Sequence, residues 1–216
     1  MKIRKLGSQG FTLMEIVVVL AVIAILSALL TPLILTYVED GRRQQAQNDV
    51  VMIATAIAAF LKDTGVPPYK NTTSTTKVAL KETGDFDCLK SSLGQLPLDD
   101  ATTTWGTLTA AGINCSVATK VDTIENQLIL NTPGGSATKA YTTSGKFAWR
   151  GPYLPTVNAD PWGAAYLVNI GKADPSVAKA VIAISAGANG KLETSADQAT
   201  TTSIIPGGDD ILARVK

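Results

Sequence analysis

The 216-residue chain contains no histidine and only two cysteines, Cys88 and Cys115. Without histidine there can be no Ser-His or Cys-His nucleophile pair, and zinc loses its usual nitrogen ligand. No glycine-rich phosphate loop and no other activated nucleophile stands in for them, so the chain reads as a non-enzyme. An excess of charge of one sign is also lacking: 19 basic and 18 acidic residues leave a net +1. With no basic stripe to follow a phosphate backbone, nucleic acid is excluded as a main partner. Aromatics make up 6% of the residues and charged groups 17%, against 45% apolar, a balance that is neither disordered nor repetitive.

What is present begins at the N-terminus. From Phe11 to Leu35 there is one charged residue, Glu15. As a helix this stretch would span about 38 Å, enough for the hydrocarbon core of a bilayer. Lys2, Arg4 and Lys5 precede it with no acid among them, which keeps the leading end in the cytoplasm and points the rest outward, although Arg42 and Arg43 weaken the bias. A secretory signal has a shorter apolar core followed by a small-residue cleavage site. A plain anchor gives no reason for Glu15, because an acid at membrane depth costs about 3 kcal/mol.

The order of residues in "KLGSQGFTLMEIVVVLAVIAIL" resembles the class III signal of type IV pilins and of the pseudopilins of type II secretion. The resemblance implies that a prepilin peptidase cuts between Gly10 and Phe11 and methylates the new amine. It also implies that Glu15 pairs with the Phe11 ammonium of a neighbouring subunit, so that two costly charges are matched only on assembly. Loss of residues 1–10 would move the side-chain charge from 19 − 18 = +1 to 16 − 18 = −2. Pro32 should loosen or kink the apolar helix, since it lacks a backbone donor.

The helix is expected to continue over residues 36–65 as an amphipathic element. Val50, Ile53, Ala54, Ile57 and Leu61 recur at three- and four-residue steps, and Gly65, Pro67 and Pro68 end the pattern. Gly41 is a candidate joint. Residues 66–216 form the expected head. A Thr-, Ser- and Gly-rich insert over 70–146 reads as loops and short strands, one of them at "NQLILN". Cys88 and Cys115 are expected to form a disulfide if the head faces an oxidising compartment.

Residues 147–216 resemble, in order, the C-terminal half of the major pseudopilin of type II secretion. Trp149, Gly151-Pro152-Tyr153-Leu154, the Asp160-Pro161-Trp162-Gly163 turn, Tyr166, Ser185, Gly187-Ala188, Gly190 and Asp210-Ile211 carry the likeness. "AAYLVNI" and "KAVIAIS" read as two strands of an antiparallel sheet, with Trp162 closing one edge of the core. The resemblance implies one structural calcium ion, held by the Ala186 carbonyl, Asn189, Asp209 and Asp210. Asn189 stands where the family has an aspartate, and Asp197 could replace the missing charge. The acid spacing is not that of an EF-hand. The insert and the cysteine pair depart from major pseudopilins.

The expected fold is therefore α+β: a long N-terminal helix, half transmembrane and half packed on the head, followed by a small antiparallel sheet with long loops. The expected function is that of a homopolymeric filament subunit. It would be served by prepilin peptidase, an inner-membrane assembly platform and minor pilins or pseudopilins. It would sit in the inner membrane with a periplasmic head before entering a filament in the periplasm or at the cell surface. The filament expected from the resemblance is a pseudopilus driving type II protein secretion, with a major or minor subunit of a type IV pilus as the alternative.

Overall fold

The computed structural model describes residues 10–71, 84–99, 103–105, 115, 118–201 and 203–215. The basic leader Lys2, Arg4 and Lys5 lies outside the described residues, as does most of the "NTTSTTK" and "DDATTTWGTLT" stretches. The chain divides into two compact units, one ending at Gly41 and the other running from Arg42 to Lys216.

Helix α1 covers Leu13–Thr64 and passes through both Pro32 and Gly41 without interruption. Pro32 therefore does not break the helix. The Thr31 hydroxyl, one residue earlier, donates to the Ser27 carbonyl at 2.7 Å. The helix stops where expected: Gly65 takes φ +71° and its N–H closes the last turn on the Leu61 carbonyl at 2.9 Å. From Arg42 onward one face is buried, at Ala46, Val50, Ile53, Ala54, Ala56, Ile57, Phe60 and Thr64. Phe60 is wholly buried, whereas Leu61, the expected core position, is only half-buried.

The second unit is built on a five-stranded sheet of order β3-β1-β4-β5-β7, comprising β1 Cys88–Lys90, β3 Val121–Thr123, β4 Leu167–Val168, β5 Ile182–Ser185 and β7 Ile211–Arg214. A separate pair joins β2 Leu98–Asp99 to β6 Lys191–Leu192 in parallel. The expected strands "AAYLVNI" and "KAVIAIS" contain β4 and β5, which pair antiparallel with Leu167 opposite Ile184. The sheet as a whole is mixed, because β1 and β3 run parallel with Cys88 opposite Val121. Turn signals gave no warning of that pair, whose strands are more than 25 residues apart and joined by the insert.

Alternation along the strands sorts side chains to two faces. Leu89, Val168, Ala183 and Ala213 join α1, Tyr69 and Tyr166 in one apolar cluster. Their neighbours Cys88, Leu167, Ile182 and Ile184 join Trp105, Cys115, Leu192 and Ala196 in a second. Cys88 and Cys115 are linked by a disulfide, with Cα atoms 5.2 Å apart. It ties Cys115 to β1 in the second cluster, where the Trp105 indole donates to the Thr194 carbonyl at 2.8 Å. Trp105 is the wholly buried tryptophan, while Trp162 is half-buried and does not close the core.

The segment read as a strand at "NQLILN" holds no strand: residues 126–128 end a short helix, α2 Ile124–Leu128, and 129–131 follow it outside any strand. Thr123 caps it by accepting from the Asn126 N–H. Asp122, buried just before the cap, accepts from four donors: the Thr123 and Gly134 N–H groups and the side-chain amides of Asn126 and Gln127. An apolar run flanked by such cap residues favours a helical turn over an extended strand.

Candidate functional site

Two places bear the residues singled out by the sequence. The first is the start of α1. Gly10 and Phe11 precede the helix, and Phe11 is 82% exposed. Thr12 is the cap: the Glu15 N–H donates to its hydroxyl at 3.2 Å, while Glu15 Oε2 accepts from the Thr12 N–H and from the Thr12 hydroxyl, each at 2.9 Å. This is a reciprocal capping box, and it satisfies two donors that a helix start leaves without partners. Glu15 is thus already compensated within its own chain, a role that the reading of it as a bare membrane charge missed. The pattern Thr-x-x-Glu, plain at Thr12–Glu15, is the signal that would have found it.

From Phe11 to Val38 every side chain is exposed. The most apolar 18-residue window of α1 has a mean hydropathy of 2.9, and none of it is buried. Length and composition suffice to cross a membrane, and among the described residues nothing covers this surface.

At this segment residues 5–31 match the family model described as the prokaryotic N-terminal methylation motif. This N-terminal segment is type IV pilin-like. The motif implies processing by a prepilin peptidase and assembly into a filament, and it spans the Gly10-Phe11 pair, Thr12 and Glu15. No curated protein and no solved structure gives a significant match to the chain.

The second place is the turn after β5. Ala186 is buried, and Gly187 and Gly190 take φ +64° and +67°. A Cβ on Gly187 would lie 2.4 Å from the Asp209 carbonyl oxygen, so only glycine lets the end of the chain pack against this turn. Asp209 Oδ2 accepts from the Asn189 N–H at 3.0 Å, and Asp210 Oδ2 accepts from the Glu193 and Thr194 N–H groups at 2.9 and 2.6 Å. Burial pushes the Asp210 carboxyl above its ordinary value, with these hydrogen bonds opposing the shift. Asp209 Oδ1 and Asp210 Oδ1 are buried with no hydrogen-bond partner.

The sequence reading missed Glu193 here. Its Oε2 accepts from the Asn189 side-chain amide at 3.1 Å, and its carboxylate fills the space that a Cβ on Gly208 would need. Asn189 Oδ1 accepts from the Lys191 N–H at 2.7 Å. Asp197, considered as a replacement acid, is committed elsewhere, in an ion pair with Lys172 at 2.5 Å. Among the described residues no three His, Cys, Asp or Glu side chains form a group suited to a metal ion.

The remaining residues of the C-terminal likeness have structural roles. Asp160 organises the "DPWG" turn, accepting from the Trp162 and Ala164 N–H groups through Oδ1 and from the Ser185 hydroxyl through Oδ2. Tyr153 and Trp149 pack edge-on, and Tyr153 also meets Phe60 of α1 at a centroid distance of 5.6 Å.

Proposed function

We propose that this chain is the repeating subunit of a pseudopilus that drives type II protein secretion. The observation that carries the filament role is the methylation motif, set on a helix whose whole apolar surface from Phe11 to Val38 is uncovered in the single subunit. Cleavage after Gly10 leaves that surface on the mature protein, and Phe11 becomes its methylated terminus. In the membrane the surface is solvated by lipid, and in the filament by the helices of other subunits. The Phe11 ammonium of one subunit then offers Glu15 of its neighbour a charged donor in place of the neutral Thr12 groups, and a charged pair is the stronger in a medium of low dielectric. The order of motifs from Trp149 to Ile211 favours the secretion system. The disulfide-closed insert favours the second reading, a subunit of a surface pilus.

Shearing and purifying the filaments separates these. This chain as bulk component of a short periplasmic fibre, together with secretion lost on its deletion, supports the proposal. Long surface fibres with intact secretion support the pilus. Mass spectrometry of the native chain tests the common ground: an intact Met1, or a cut beyond Leu30, removes both readings.

Calcium in the turn after β5 belongs to the same proposal. The buried, unpartnered Asp209 Oδ1 and Asp210 Oδ1 support it, since a buried carboxylate oxygen without a donor is a candidate ligand for a cation. The Ala186 carbonyl and Asn189 Oδ1 would complete the oxygens, and the ion would tie the chain end to the turn. With two carboxylates and one amide the affinity is lower than with three carboxylates. Unfolding of the full chain in detergent should occur at higher temperature with calcium than with chelator, and Asp210→Ala should remove the difference. Coincident wild-type curves discard calcium.

A further inference from the structure

The turn that gathers Glu193, Asp209 and Asp210 also holds the chain's one asparagine followed by glycine, Asn189-Gly190. We propose that Asn189 is a site of spontaneous deamidation, and that its conversion deepens the dependence of this turn on a divalent cation.

The chemistry needs only water. The Gly190 backbone nitrogen attacks Cγ of Asn189, the new N–C bond closes a five-membered succinimide, and the Cγ–Nδ2 bond breaks. Ammonia leaves with the proton from the Gly190 nitrogen. Hydrolysis of the ring then gives an aspartate or, by opening at the other carbonyl, an isoaspartate, with no change of oxidation state.

Four features of the turn suit this course. Asn189 is exposed, so water reaches it. Gly190 has no side chain to shield its nitrogen, and a Cβ built there would find nothing within 4 Å. The attacking N–H is weakly held, bonded to the Gly187 carbonyl at 3.4 Å. The oxygen that gains negative charge during attack, Asn189 Oδ1, already accepts from the Lys191 N–H at 2.7 Å, so a donor is aimed where charge develops.

The consequence follows from what surrounds the amide. Asn189 Nδ2 donates to Glu193 Oε2, and loss of ammonia replaces that donor with an oxygen. Glu193 is hemmed in by Gly207 and Gly208, both of which approach it so closely that a Cβ on either would overlap it. Asp209 is tied to the same turn through the Asn189 N–H. A carboxylate at position 189 therefore joins two others that are held nearby, and like charges so placed repel unless a cation lies between them. The first half of the proposal stands by itself, while the second rests on the acidic turn taking a cation.

The full chain in detergent, incubated at mildly alkaline pH, is digested and mapped by mass spectrometry beside Asn189→Gln. A gain of about one dalton should appear at Asn189 ahead of every other asparagine and be missing from the peptide of the variant. Asn189→Asp, melted beside wild type, should lose about 3–6 °C in chelator and regain it in calcium. An Asn189 that stays intact while other asparagines convert overturns the proposed site. Coincident curves for Asn189→Asp with chelator and with calcium overturn the cation dependence, whatever the masses show.

Discussion

The stretch of α1 up to Gly41 and the stretch from Arg42 to Thr64 are both regular helix, yet they are helical for different reasons. The first buries none of its side chains, and its helix rests on internal hydrogen bonds and the Thr12–Glu15 box. The second buries eight residues at three- and four-residue spacing against strands and loops of the same unit. One is folded by its own subunit. The other carries surface that only lipid or further subunits can cover, so changes there should alter assembly and leave head stability untouched.

The sharpest way to break that distinction is Glu15→Val. It removes the group able to take a charge from a neighbour and should reduce filament yield to near background, with membrane insertion, cleavage after Gly10 and head melting unchanged. Filaments at normal yield, measured by quantifying sheared material, would refute the charge-pair account. Phe60→Ala should do the reverse. Phe60 lies edge-on to Tyr141 at 4.9 Å and is fully buried, so the loss should be about 3–5 kcal/mol by denaturant unfolding, without effect on insertion or cleavage.

Replacing both cysteines by serine acts on the opposite face of the sheet. For a bridge of sequence separation 27 the chain-entropy model gives a loss of about 3–4 kcal/mol. Because Phe60 and the bridge belong to separate clusters, their effects should add to within about 0.5 kcal/mol. Tyr166→Phe is the mildest. It removes a hydroxyl that donates to Asp49 Oδ2 of α1 at 2.7 Å, and should cost about 1.5–3 kcal/mol. Burial and the Asp49 carboxylate both raise the Tyr166 phenol far above its usual range, in keeping with its role as a donor.

Much of α1 could be read from the sequence because its signals are local: apolar periodicity, a glycine stop and two prolines. The β4–β5 pairing was legible for the same reason, as two apolar runs flanked by turns. What escaped depended on partners distant in sequence. Trp105 is core because it meets Thr194, 89 residues away. The β1–β3 pair is parallel and its strands are far apart in sequence, and no pattern within either three-residue strand states that. "NQLILN" was misread because β-branched and apolar residues suit a strand, while Asp122 and Thr123 just ahead of it provide a cap that outweighs this preference. In the turn after β5 the resemblance to major pseudopilins grouped Asn189, Asp209 and Asp210, but Glu193 has no motif to announce it and is brought in by the fold of the loop.

All four residues of β5 are buried, Ala183 on the α1 side and Ile182 and Ile184 on the side closed by Trp105 and the disulfide. Among the described residues, β5 therefore has no free face to lend to a partner. Whatever this head touches in a fibre must meet its loops, its strand edges or the outer side of α1, and those are the parts whose residues can be exchanged without repacking a core. A lineage could change the surface of this subunit many times while β4 and β5 stayed the same, because variation is cheap on one layer of the molecule and costly on the other.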